Sequence, residues 1–230
     1  QAKARELARR PGLEVVAVAP ARFFELGHWM RAERPADPPY RLEVLPVALP
    51  QVRGQRHAYF YPRGLARLVR RMRPDVIDLW EEPYTAASAQ VAVLRRLVAP
   101  RARLVLNPSK REPGRTPVPF RQGERLVVHA ADYVVGRSPE AVAALRAKGY
   151  RGPGAVIGHG IELGLLGTGD AAVARRELGL PAGAPLVAYV GRLVPDKGGD
   201  VLLEAVARRP EPLHVLVAGR GPDEPALRAQ

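Results

Sequence analysis

At 230 residues, 47% hydrophobic and 26% charged, the chain has the composition of a folded globular protein and is long enough for one large domain or one domain with part of another. It has no cysteine, which excludes a disulfide framework, a thiolate zinc site and a catalytic thiol, and fits a reducing, cytoplasmic compartment. The net charge of +13 invites anionic partners, yet only Lys3, Lys110, Lys148 and Lys197 of the 36 basic residues are lysine. The arginines are scattered without a dense basic block, so drift toward Ala, Arg, Gly and Pro explains the charge better than nucleic-acid binding does.

Short β-branched runs alternate with helical patterns along the chain, the signature of a parallel α/β sheet. Residues 1–10 open in an amphipathic helical pattern without an initiator Met or a signal-peptide core, so the start is expected to lie inside a longer protein. Residues 13–19 read as a strand, and 41–47 as another before an irregular, Pro-rich stretch. In 64–72, Leu65, Leu68, Val69 and Met72 recur at helical spacing, and Pro74 forces a stop before a strand at 75–80. A helix over 85–98, a strand at 103–106, a helix over 120–131, a strand at 132–135 and a helix over 138–148 follow. Ser138 with Pro139 and Glu140 makes a good helix start, and Gly149 a good stop. Residues 155–157 read as one more strand, after which 159–168 is Gly-rich and loses apolar periodicity, the mark of a domain junction. The second unit begins with a helix at 171–178, a strand at 186–190, a helix at 199–208 and a strand at 213–218. Two parallel strands cannot bury both faces of a sheet, so this unit is expected to be only partly present. No apolar run approaches the roughly 18 residues needed for a membrane-spanning helix.

The sharpest local feature is V-A-Y-V-G-R-L-V-P-D-K at 187–197, with Gly198 and Gly199 and a helix behind it. Gly191 ends a strand and permits close backbone approach, Arg192 offers a planar fork of donors, and Lys197 places an ammonium near a helix N-terminus. These groups converge where an anion would bind. Gly219-Arg220-Gly221-Pro222 leaves the next strand at the same sheet edge. It lacks the third glycine of a dinucleotide fingerprint, and the chain contains no phosphate loop of the nucleotide-triphosphatase kind.

Val190-Gly191-Arg192-Leu193-x-Pro195-Asp196-Lys197-Gly198, Leu202-Leu203-Glu204-Ala205 and Gly219-x-Gly221-Pro222 resemble, in order and spacing, the family 4 glycosyltransferases of GT-B fold. Upstream, Arg73 to Asp78 and Glu81-Glu82-Pro83-Tyr84 are similar to that family's acceptor-side strand and its Glu-Pro turn. Asn107, Lys110, Pro119-Phe120-Arg121, Glu124-Arg125, Ala131-Asp132, Ser138 and Glu140 continue the pattern, and Gly158-His159-Gly160-Ile161-Glu162 resembles the interdomain junction. The resemblance implies two Rossmann-like domains with parallel sheets. Residues 1–160 would be the N-terminal acceptor-side domain without its first strand, and 161–230 the junction and the start of the nucleotide-sugar-binding domain. It implies retaining transfer from a nucleoside-diphosphate sugar to a carbohydrate or lipid-linked acceptor, with no metal and no other cofactor. Arg192 and Lys197 would stabilise the departing diphosphate, Gly191 would admit the phosphates, and Gly219 and Gly221 would shape the nucleotide side. Glu82 and Asn107 are the acceptor or sugar-pocket candidates. The family's first Gly-rich loop and its later Glu-x7-Glu segment are absent, so 1–230 alone is expected to lack activity.

Other chemistry is poorly supported. Glu81 and Glu82 are adjacent and read as a solvated turn rather than a hydrolase pair. His28, His57, His129, His159 and His214 show no metal-ligand spacing. Ser138 is better explained as a cap than as a nucleophile. Tyr59-Phe60-Tyr61 either stacks on a ligand or is buried under a loop. Two rival readings remain: a noncatalytic remnant that binds a phosphorylated ligand or partner, and a nucleic-acid-binding protein, against which loop 191–197 argues. Peripheral membrane contact through basic, aromatic stretches of the N-terminal domain is a further expectation.

Overall fold

A computed structural model describes residues 2–25, 28–49, 58–109, 117–118, 120–161, 164, 167 and 169–230. The chain forms two compact units, Gln1–Gly160 and Ile161–Gln230. Both have α/β architecture with parallel sheets.

Unit 1 opens with helix α1 (Ala2–Ala8), followed by strand β1 (Val16–Pro20), which pairs in parallel with β4 (Arg41–Leu45). Between them an antiparallel hairpin of β2 (Arg22–Glu25) and β3 (His28–Arg31) is added, an element that the β-branched pattern did not mark. Helix α2 (Leu65–Met72) buries Leu65 and Leu68 and ends at Arg73, in the left-handed region immediately before Pro74. Four strands then run in sequence order and in parallel: β5 (Val76–Leu79), β6 (Arg103–Leu106), β7 (Tyr133–Gly136) and β8 (Gly154–Val156). The connections are α3 (Ala86–Val98), α4 (Phe120–Ala130) and α5 (Pro139–Ala147).

Local chemistry sets the helix boundaries. Thr85 caps α3 by accepting from Ser88 N at 3.2 Å, and Ser138 caps α5 by accepting from Ala141 N at 3.3 Å. Tyr150 N donates back to Leu145 O at 3.1 Å and closes α5 over Gly149. The core lies between the sheet and these helices: Leu79, Leu104, Leu106 and Val134 pack against Ala92, Val127, Val128, Val142 and Leu145.

Two polar devices hold unit 1 at its margins. The Asp132 carboxylate accepts from Leu104 N at 2.8 Å and pairs with Arg95 and Arg103, each at 2.9 Å. Burial alone would raise this carboxyl. The Leu104 N–H and the two guanidinium groups outweigh burial and hold it below the ordinary aspartate value. Glu124, 4% exposed inside α4, pairs with Lys148 Nζ at 2.5 Å.

Unit 2 contains α6 (Ala171–Glu177), β9 (Leu186–Val190), a 3-10 turn at Pro195–Lys197, α7 (Gly199–Ala207), β10 (His214–Ala218) and α8 (Glu224–Ala229). Strands β9 and β10 pair in parallel over their full lengths. Asp170 caps α6 by accepting from Ala172 N at 2.7 Å. Helix α8 is a further element, beyond those the sequence pattern marks. Its Asp223, Glu224 and Pro225 supply a start, but the helix has only six residues. No described helix is long and apolar enough to cross a membrane.

Candidate functional site

The loop after β9 and the loop after β10 are joined backbone to backbone. Gly191 N donates to Ala218 O at 3.1 Å, Leu193 N to Arg220 O at 2.9 Å, and Asp223 N to Leu193 O at 3.2 Å. That approach requires glycine at 219 and 221. A Cβ on Gly219 would stand 1.9 Å from Gly191 O, and one on Gly221 would stand 2.0 Å from Leu193 O. The glycines assigned to the nucleotide side therefore act by letting two strand-end loops touch. At Gly191 the nearest atoms to an added Cβ are those of the Tyr189 ring, 3.8 Å away, so packing within unit 2 leaves this position open.

Arg192 follows Gly191 and is half-buried, whereas Lys197 is exposed and closes the 3-10 turn. Gly198 next to it has φ of 65°, a conformation that turns the chain into α7 and that residues with a Cβ adopt at a cost. Neither Arg192 nor Lys197 has an ion pair among the described residues. The first-turn N–H groups of α7, which by helix geometry have no carbonyl partner within the helix, lie immediately behind Lys197. Loop 191–197 thus brings Gly191, Arg192 and Lys197 together at the C-terminal edge of β9, with Gly219 and Gly221 braced against it. Tyr189, which no motif marks, lies beneath the loop, its hydroxyl 3.1 Å from Arg192 O. The run Leu186–Val190 has no polar alternation, so the sequence carries no signal of which face Tyr189 takes.

In unit 1, Glu82 and Asn107 both lie at the C-terminal edge of the four-stranded sheet. The Asn107 amide is 6% exposed and committed internally. Its Nδ2 donates to Asp78 Oδ1 at 2.6 Å and to Leu79 O at 3.3 Å, while its Oδ1 accepts from Lys3 Nζ at 3.1 Å. Glu82 Oε1 accepts from Ser109 N at 3.0 Å and Ser109 Oγ at 2.6 Å, fixing the chain two residues beyond Asn107. Glu81 accepts from Glu82 N at 3.0 Å through Oε1 and from the Tyr59 hydroxyl through Oε2. The Glu81-Glu82 turn is therefore half-buried and fully engaged, not the solvated turn the adjacency suggested.

Of the two readings for Tyr59-Phe60-Tyr61, burial holds at Tyr59. It is 5% exposed and meets Phe23 edge-on with ring centroids 5.7 Å apart. Burial first, then the Glu81 charge, pushes the Tyr59 hydroxyl far above its ordinary value and Tyr61 up to about 12. Tyr59 thus stays a proton donor to Glu81. Trp80, 54% exposed at the end of β5, carries Arg137 at 4.4 Å and Lys3 at 5.1 Å from its ring centre. Lys3 is paired with Asp78 at 2.7 Å, while Arg137 has no ion pair among the described residues. Trp80 and Arg137 are edge residues that no motif marked. Lys110, Pro119, Glu162 and His57 fall outside the described residues. Among the described residues no cluster of His, Asp and Glu has the make-up of a metal site.

No family model matches the chain. It is 40% identical over 110 residues to a D-inositol 3-phosphate glycosyltransferase of Mycolicibacterium gilvum, a match covering 46% of this chain and 25% of that protein. It is 31% identical over 206 residues to a protein of the same name from Nocardia farcinica, covering 83% of this chain and 41% of the relative. The chain thus spans less than half the length of these relatives. In fold it is similar to Anabaena HepE, whose crystal structure is in complex with UDP and glucose, with TM-score 0.57, 22% identity, and coverage of 83% of this chain and 51% of that one. Over the residues it spans, the chain is similar in sequence to these glycosyltransferases, and its fold is GT-B-like.

Proposed function

We propose that the chain serves retaining transfer of a sugar from a nucleoside-diphosphate sugar to a hydroxyl of a carbohydrate or lipid-linked acceptor, unit 2 holding the donor and unit 1 the acceptor. The observation that carries this reading is the strand-end loop 191–197, which presents Arg192 and Lys197 with no ion pair among the described residues and is braced by Gly219 and Gly221. As transfer proceeds, the bond from the anomeric carbon to the β-phosphate oxygen breaks with its electron pair left on the diphosphate. The acceptor oxygen bonds that carbon, and its proton leaves with the diphosphate. Arg192 and Lys197 stabilise the charge that accumulates on the leaving group, so the proposal includes no metal. Gly191 leaves room for phosphate oxygens beside the backbone.

The name of the relatives favours a phosphorylated polyol among carbohydrate acceptors. Arg137 against Trp80 supplies a cation at the sheet edge assigned to it, where Glu82 and Asn107 act by fixing the edge rather than by contacting substrate. The setting is cytoplasmic, in keeping with a chain without cysteine. The β2–β3 hairpin, with Trp29 50% and Met30 46% exposed and Arg22 over Trp29, is the surface suited to peripheral membrane contact.

Because 1–230 alone is expected to lack activity, the test is transfer from a panel of nucleoside-diphosphate sugars by the intact protein that contains these residues and by its Arg192→Ala/Lys197→Ala variant. The double variant is expected to lose about 100-fold or more in kcat with an unchanged circular dichroism spectrum. Full activity in the double variant overturns the diphosphate role. Saturable donor binding without transfer supports the alternative of a noncatalytic remnant, a reading favoured by the internal commitment of Asn107 and Glu82.

A further inference from the structure

We infer that Tyr189 is a positioning residue for the two cations, acting through its hydroxyl on the backbone of loop 191–197; this rests on the diphosphate reading above. Tyr189 is half-buried on β9 between exposed Ala188 and Val190. Its ring lies alongside both glycine positions that flank the loop, with ring atoms 3.8 Å from where a Cβ on Gly191 or Gly199 would stand. The hydroxyl is 3.1 Å from Arg192 O and 3.4 Å from Lys197 O. Those two carbonyls belong to the residues that supply the positive charge, one at each end of the loop.

The two halves of the loop are held differently. The first half is tied to loop 219–222 by the Gly191–Ala218 and Leu193–Arg220 backbone bonds. The second half is a tight turn closed on itself, with Lys197 N donating to Val194 O and Gly198 N to Pro195 O, each at 3.0 Å. Tyr189 spans both halves from the strand below. One phenolic proton serves one carbonyl at a time, so the hydroxyl is shared between the peptide planes that follow Arg192 and Lys197. Fixing those planes fixes the directions in which both side chains leave the backbone. The ring itself lines a cavity of about 230 Å³ together with Leu193, Leu203, Val217 and Leu227, and with Glu224 and Arg228. Removing the hydroxyl alone therefore leaves the packing in place.

The experiment compares diphosphate with monophosphate affinity, using the tightest binder among UDP, ADP and GDP and its own monophosphate, in the unsubstituted chain, Tyr189→Phe and Arg192→Ala/Lys197→Ala. The unsubstituted chain is expected to prefer the diphosphate, the double variant to lose that preference, and Tyr189→Phe to lose about fivefold of it with monophosphate affinity unchanged. An unchanged ratio in Tyr189→Phe, with the double variant collapsed, overturns the positioning role and leaves the diphosphate reading standing. Equal loss of monophosphate and diphosphate binding in Tyr189→Phe assigns the hydroxyl to general stability and also overturns the inference. A ratio of one, or no binding, in the unsubstituted chain overturns the diphosphate reading, and the inference with it.

Discussion

Unit 1 and unit 2 are both built on parallel strands, but they fix their strand-end loops by different means. In unit 1, Leu104, Leu106, Val127, Val128 and Val134 are at most 1% exposed, and this side-chain packing sets where the loops emerge. In unit 2, Leu193 at 4% is the one hydrophobic residue among those described that is buried, while Val190, Val201 and Val217 are 81%, 63% and 44% exposed. Yet loop 191–197 is tightly specified, because it is held by backbone touching backbone through two glycines. The lesson is that a site can be positioned without a deep core when main-chain atoms supply the contact. The two units should therefore fail under different substitutions. Both tryptophans, Trp29 and Trp80, lie in unit 1, so tryptophan fluorescence reports on that unit alone.

The largest expected effect comes from adding a single methyl group to unit 2. In Gly221→Ala the new Cβ would stand 2.0 Å from Leu193 O, 2.6 Å from its carbonyl carbon and 2.9 Å from its Cα. All three are backbone atoms, so no rotamer change relieves the clash and the two loops must part. Under the diphosphate role proposed above, shifting Arg192 and Lys197 by about an ångström is expected to cost about 100-fold in the transfer rate of the intact protein, while the tryptophan-detected unfolding of unit 1 in 1–230 stays unchanged. Transfer at the unsubstituted rate would break the comparison, because it would show that loop contact does not set the site.

The converse change should strike unit 1 and spare unit 2. Lys148→Ala removes the ammonium 2.5 Å from the Glu124 carboxylate, which is 4% exposed and cannot turn to water without opening α4. The expected cost is about 2 kcal/mol, less than the full penalty for an orphaned buried charge because Glu124 keeps other contacts. Denaturant unfolding followed by tryptophan fluorescence measures it, and nucleoside-diphosphate affinity should not change. A loss of affinity comparable to that of a loop variant would break the comparison, because a change in unit 1 would then act on binding assigned to unit 2.

Much of this was legible in the sequence, and the limits have physical causes. The four-stranded sheet of unit 1 was readable because its strands are β-branched runs punctuated by caps that act locally, Thr85, Ser138 and Gly149 among them. The β2–β3 hairpin was not, because Arg22-Phe23-Phe24-Glu25 and His28-Trp29-Met30-Arg31 show neither apolar alternation nor a turn dipeptide of the favoured kind. The residues of loop 191–197 were legible as a group, since Gly, Arg, Pro and Lys at that spacing follow directly from strand-to-helix geometry. The mechanical role of Gly219 and Gly221 was not, because it depends on a carbonyl some 28 residues away in sequence, beside them only once β9 and β10 pair. Asn107 shows the same limit on the other side: its type suggested a sugar contact, while its partners, Asp78 and Lys3, are set by the sheet and by α1.

The smallest effect sharpens the comparison through pH. Asp132 is held below the ordinary aspartate value by the Leu104 N–H, Arg103 and Arg95, against the opposing effect of burial, and unit 2 has no carboxylate among the described residues with a comparable set of donors. Because the folded value is depressed, the stabilisation is fully present above the unfolded aspartate value of about 4 and is lost as pH falls through the folded value. Unit 1 is therefore expected to lose tryptophan-detected stability below about pH 4. Asp132→Asn should already lack that increment at neutral pH, and the two proteins should converge in acid. Parallel acid profiles that stay separated down to pH 2 would assign the stabilisation to the shape of the Asp132 turn rather than to its charge.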